Sequence, residues 1–74
     1  MPKLPILKAR EVLKILKSEG FFEFHRVGSH IQLKHKDGRR VTVPMHKGKD
    51  TGRGMLSSIL KQAKIKPERL RNLL

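Results

Sequence analysis

His30, in the run Gly28-Ser29-His30, stands where two strand-like segments meet. The surrounding chain carries 18 Lys and Arg against 6 Asp and Glu, a formal charge of +12. Histidine changes charge near neutral pH, so it can take up or release a proton under physiological conditions. A strongly positive chain attracts polyanions, nucleic acid foremost. RNA supplies its own nucleophile, the 2′-hydroxyl. A base that deprotonates it drives attack on the adjacent phosphate and leaves a 2′,3′-cyclic phosphate and a 5′-hydroxyl, with neither metal nor cofactor. His30 is the candidate catalytic base. Lys34 and Arg40 are candidates to bind the RNA and to stabilise the extra negative charge of the transition state. Ser29 and His46 are auxiliary candidates, His46 from the loop beyond the third strand.

Other residues add less. His25 and His35 read as solvated surface side chains away from this face. No metal is expected, because His30, His35 and His46 lack a compact ligand spacing. The absence of cysteine excludes disulfides, thiolate zinc and thiol nucleophiles. Asp37 is explained by an Asp-Gly turn, so a mechanism with paired carboxylates has no support. Gly48, Gly52 and Gly54 interleave with Lys47, Lys49 and Arg53. This stretch is either a flexible basic loop or a phosphate cradle at a helix N-terminus. In the second case Lys47, Lys49 and Arg53 join Lys34 and Arg40 as RNA-binding residues. The spacing is not that of a nucleotide-binding P-loop.

The elements that must position these groups follow from periodicity. Ala9, Val12, Leu13 and Leu16 form one apolar stripe, which predicts a helix over about 8–18 capped by Gly20. Phe21 to Val27 is aromatic and β-branched and predicts a strand over about 21–27. Phe22 and Phe24 are expected in the core, with Phe21 packed on the first helix. In the next run, about 30–36, His30, Gln32 and Lys34 alternate with Ile31 and Leu33, so one face is buried and the other open. Asp37-Gly38 predicts a hairpin turn into a strand over about 39–44, ended by Pro44. Met45 to Arg53 reads as a loop. Leu56, Ile59, Leu60 and Ala63 predict a helix over about 55–64, and Pro67 opens a short helix to about 73.

This order predicts a single α+β domain over residues 1–74. Its architecture is a two-layer sandwich, a helix, a three-stranded antiparallel sheet and a helix, with a short C-terminal helix. A domain of this size buries only about 60% of its unfolded surface. One sheet face is therefore left uncovered, with His30, Gln32, Lys34, Arg40 and Thr42 on it.

At this point the ordered residues resemble a family, the HicA-type toxins of bacterial and archaeal toxin–antitoxin pairs. The matching features are Gly20-Phe21, Gly28-Ser29-His30, Val41-Thr42-Val43-Pro44 with His46, and Gly54 leading into Leu56 through Ala63. The resemblance covers roughly Val12 to Ala63. It implies a double-stranded RNA-binding-domain-like fold, mRNA cleavage centred on the strand histidine, and inhibition by a HicB-type antitoxin. Met55 stands where a threonine often follows the glycine, and Lys64 where a glycine often ends the helix. Both departures bear on helix boundaries and leave the histidine untouched.

Two other functions fit the same charge. A non-catalytic RNA-binding module would read duplex shape and phosphates, and a protein-interaction module would take an acidic partner. The apolar stretch Leu4-Pro5-Ile6-Leu7 is too short for a signal-peptide core or a membrane span. A cytoplasmic location without membrane contact is expected.

Overall fold

The computed structural model describes residues 4–45 and 50–73. In chain order the elements are β1 (Leu7–Lys8), α1 (Ala9–Ser18), β2 (Phe22–Val27), β3 (His30–Lys34), β4 (Arg40–Pro44), β5 (Asp50–Thr51), α2 (Arg53–Ala63) and α3 (Pro67–Leu73). Strands β2, β3 and β4 form an antiparallel sheet in that order, and β1 pairs with β5 as a separate two-stranded ribbon. The class is α+β, with a double stranded RNA-binding-domain-like layout of helix, three-stranded sheet and helices.

The core is one cluster. Ile31, Leu33, Val41 and Val43 point inward from β3 and β4, each at most 2% exposed. Val12 and Leu16 of α1 and Leu56, Ile59 and Leu60 of α2 close over them, and Leu70 of α3 joins the same cluster. The helices pack chiefly against β4. Every residue of β2 is consequently exposed.

Local chemistry sets the ends of the elements. The Lys8 backbone N–H, just before α1, donates to Glu11 Oε1 at 2.9 Å, and this acid in the first turn also complements the helix dipole. Gly20 closes α1 with φ +99°. Its N–H donates to the Lys17 carbonyl at 3.1 Å, and that of Phe21 to the Leu16 carbonyl at 3.0 Å, the double closure of a Schellman motif. A Cβ at Gly20 would lie 2.7 Å from His35 Nε2. Helix α2 ends by the same pair of bonds, from Lys64 to Lys61 and from Ile65 to Leu60, but here a lysine takes the left-handed position, with φ 57°.

Two features depart from the expectation of a plain loop between Met45 and Arg53. Asp50–Thr51 forms β5 against Leu7–Lys8, and α2 begins at Arg53, two residues early. A polar, glycine-containing segment carries no alternation from which a two-residue strand can be read. His46, Lys47 and Lys49 lie outside the described residues.

Replacing Lys64 by Gly relieves the left-handed strain and raises stability by about 1 kcal/mol, seen as a melting midpoint higher by about 4–8 °C. Gly20→Ala has the opposite sign. It strains the backbone and drives a methyl group into the His35 ring, so its midpoint falls by at least as much in the same thermal melts.

Candidate active site

The β2–β3 connection is a two-residue turn. Gly28 takes φ +57° and Ser29 follows without positive φ, so Val27 pairs directly with His30. A glycine at the first central position suits the tight hairpin turns whose twist matches that of the strands. The Met45 backbone N–H donates to the Ser29 carbonyl. This bond ties the end of β4 to the turn immediately before His30. Ser29 itself is half-buried.

His30 faces outward and is exposed, while its neighbour Ile31 is 2% exposed. Three rows of paired residues cross the open face. Val27, His30 and Pro44 form the first, His25, Gln32 and Thr42 the second, and Phe22, Lys34 and Arg40 the third. Lys34 and Arg40 therefore share His30's face but not its row. Four residues along a strand separate Lys34 from His30, about 13 Å at the usual rise. The residues beside His30, Val27 and Pro44, carry no charge. Lys34 and Arg40 make a basic patch at the far end of the same face.

Strand β2 corrects two expectations. Its pairing with β3 is interrupted by a bulge between Glu23 and His25, which inserts one residue and reverses the alternation on either side. Phe22 and Phe24 are thereby on the open face, 46% and 40% exposed, rather than in the core. Glu23 turns to the helix side, where it meets Lys17 at 2.8 Å. His25, expected away from His30, lies opposite Gln32 in the adjacent row of the open face. The two-residue turn was the signal for this. Pairing Val27 with His30 obliges His25 to pair two residues further on.

His35 is structural rather than a solvated surface residue. Its ring packs edge-on against Phe21, with centroids 5.2 Å apart. Nδ1 accepts the Asp37 N–H at 3.1 Å, and Nε2 lies 3.1 Å from the Glu19 carbonyl at the end of α1. Arg39 completes this cluster. Its guanidinium stacks 5.0 Å from the Phe21 ring centroid and donates to the Ala63 carbonyl at the end of α2. Arg53 is likewise engaged, its Nε donating to the Leu4 carbonyl at 2.8 Å. That contact fastens the N-terminal segment to the start of α2. Among the described residues no three His, Asp or Glu side chains converge as metal ligands would.

The fold and this face together define a small α+β domain that presents imidazoles and cations on a bare sheet. The family model for the HicA toxin of bacterial toxin–antitoxin systems matches residues 9–65. The chain belongs to the HicA toxin family. It is thus the toxin of a toxin–antitoxin system, and an antitoxin partner is implied. No curated protein sequence matches it significantly. Among the described residues no helix is long and apolar enough to cross a membrane.

Asp37 orders the turn beneath this face. It accepts the Arg39 backbone N–H at 3.0 Å, the leading cause that holds its carboxyl below the ordinary value of 3.8; the Arg39 side chain adds to this against a partial desolvation. A carboxylate whose folded pKa is depressed contributes stability above its unfolded pKa and loses it as pH falls through the folded one. Thermal melts from about pH 6 down to about pH 2.5 should therefore show wild type losing stability more steeply below pH 3.8 than Asp37→Asn. Equal slopes would mean the carboxylate makes no net contribution.

Proposed function

We propose that this toxin is a metal-independent endoribonuclease that cleaves mRNA, with His30 as general base. The observation that carries the reading is the orientation of His30. Its ring stands in solvent on the open face, whereas the alternate residues Ile31 and Leu33 are sealed in the core. An exposed imidazole can meet a 2′-hydroxyl; a ring wedged among leucines cannot. His25, in the adjacent row, supports the reading as a second imidazole able to protonate the leaving 5′-oxygen; His46 is the other candidate for that proton. Lys34 and Arg40, paired in the third row, bind a phosphate to one side of the cleaved one rather than that phosphate itself. Lys47 and Lys49 are further RNA-binding residues in this reading, and Ser29 sets the turn that holds His30. Arg53 contributes through its position at the start of α2, with its remaining guanidinium nitrogens toward the RNA backbone.

One positioned proton-transfer group contributes about 10²- to 10⁴-fold in rate. The remainder falls to the cationic surface, which orients the RNA and offsets charge in the transition state. The same exposure makes the toxin easy to silence. A HicB-type antitoxin that covers His30 excludes RNA, and acidic groups on it would speed association with so basic a surface. The substrate and this partner both belong to the cytoplasm.

The test is cleavage of several unstructured mRNAs in EDTA by wild type and His30→Ala. The variant should lose about 10²- to 10⁴-fold in rate with an unchanged melting midpoint, because the side chain it removes is exposed. Equal cleavage by both proteins would defeat His30 as the base. Inactivity of the wild type, with RNA binding retained, would make the chain a non-catalytic RNA-binding module.

A further inference from the structure

The two phenylalanines on the open face have no role in the chemistry above. A 74-residue domain has few large apolar side chains to spend, yet of its three phenylalanines only Phe21 is buried, at 3% exposure, while Phe22 and Phe24 stand in water at 46% and 40%. The β2 bulge puts them there. Phe24 is also set among cations, with Lys34 Nζ 5.2 Å and Arg40 Cζ 5.8 Å from its ring centroid. Phe22 stands in the same row as both.

We infer that Phe24, with Phe22 beside it, is a stacking platform for an unpaired nucleobase, so that the open face takes single-stranded rather than duplex RNA. The inference rests on the reading of this face as an RNA surface and names the form of RNA it accepts. A flat aromatic ring accepts any base on its π-face, and the stack is tolerant of sequence. A base inside a duplex already has both faces stacked and offers the ring nothing. Cation–ring contacts at exposed sites are weak. Lys34 and Arg40 can therefore leave the ring for the phosphates that flank a stacked base. Phe24, the bulged residue, lies between the second row and the third, and the third is about 13 Å from His30 along the sheet. The stacked base is accordingly a neighbour of the attacked nucleotide, and its capture fixes the register of the strand across His30. An added strand from a protein partner is the competing occupant of the β2 edge. The bulge counts against it, because it breaks the regular ladder that such a strand would extend.

The experiment measures binding by fluorescence anisotropy in a His30→Ala background, where no cleavage intervenes. The probes are a short fluorescein-labelled RNA without self-complementarity and the same strand annealed to its complement. Phe24→Ala and Phe24→Leu should weaken single-strand binding by about five- to a hundredfold, the range for loss of one stacked base. Phe24→Tyr should retain it, and duplex affinity should not change. The salt dependence should keep its slope in all three, since no charge is removed, whereas Lys34→Ala should flatten it. Thermal melts confirm that each variant is folded. Unchanged single-strand affinity in the Ala and Leu variants would overturn the stacking role and assign the rings to a protein contact, leaving the ribonuclease proposal in place. Equal weakening on single strand and duplex would also overturn it. Failure of the His30→Ala parent to bind either RNA would remove both proposals.

Discussion

The packing of α1 and α2 onto Ile31, Leu33, Val41 and Val43 is the interaction on which the rest of the molecule depends. Each of these four side chains is essentially sealed from water, and burial of one such side chain is worth about 1.5–3 kcal/mol. A chain this short has apolar residues enough to cover one face of a three-stranded sheet and no more. The opposite face must remain open, and alternation decides what stands on it. His30, Gln32 and Lys34 are outside because Ile31 and Leu33 are inside. The same economy explains the state of β2. The helices sit over β4, leaving β2 as a bare edge.

Polar side chains do two different jobs here. Arg39 and His35 lie beneath the surface at the β3–β4 turn and reach the last carbonyls of α2 and α1, respectively. This placement satisfies orphan carbonyls at both helix ends, and the Arg39 charge complements the partial negative charge at the end of α2. Phe21 is clamped between these two side chains. One hairpin turn thereby locks both helices to the sheet. Lys34 and Arg40, only one residue away from His35 and Arg39 along their strands, face the other way and lie over Phe24 on the open face. Strand alternation thus sends Arg39 to the helix ends and Lys34 and Arg40 to the open face. The histidines divide in the same way, His35 inside the clamp, His25 and His30 on the open face.

Much of this was legible from residue order. The stripe from Ala9 to Leu16 gave the first helix because its spacing repeats every 3.6 residues. The alternation from His30 to Lys34 gave the outward face of β3, and Asp37-Gly38 gave the turn. What escaped was contained in pairing. The bulge in β2 depends on how β2 meets β3, and no local pattern announces it. It reverses the face of Phe22 and Phe24, so aromatic residues at period two, a sound signal for core, ended in solvent. His35 looked like one more polar residue at a strand end. Its burial follows from the close approach of Gly20 and Phe21, residues distant in sequence. The β1–β5 ribbon joins two dipeptides more than forty residues apart, too short to carry a period of their own.

By itself the amino-acid sequence determined the order of the three helices and of the strands of the main sheet, the inward residues of β3 and β4, the tight turn before His30 and the strongly positive field. These are local or compositional properties, set by backbone sterics, side-chain periodicity and summed charge. Only the tertiary structure decided which side chains share a row, which cations are consumed in holding helix ends, and which aromatic rings face water. Those properties arise from register and from contacts between distant segments, where a single inserted residue moves side chains from one face of a sheet to the other.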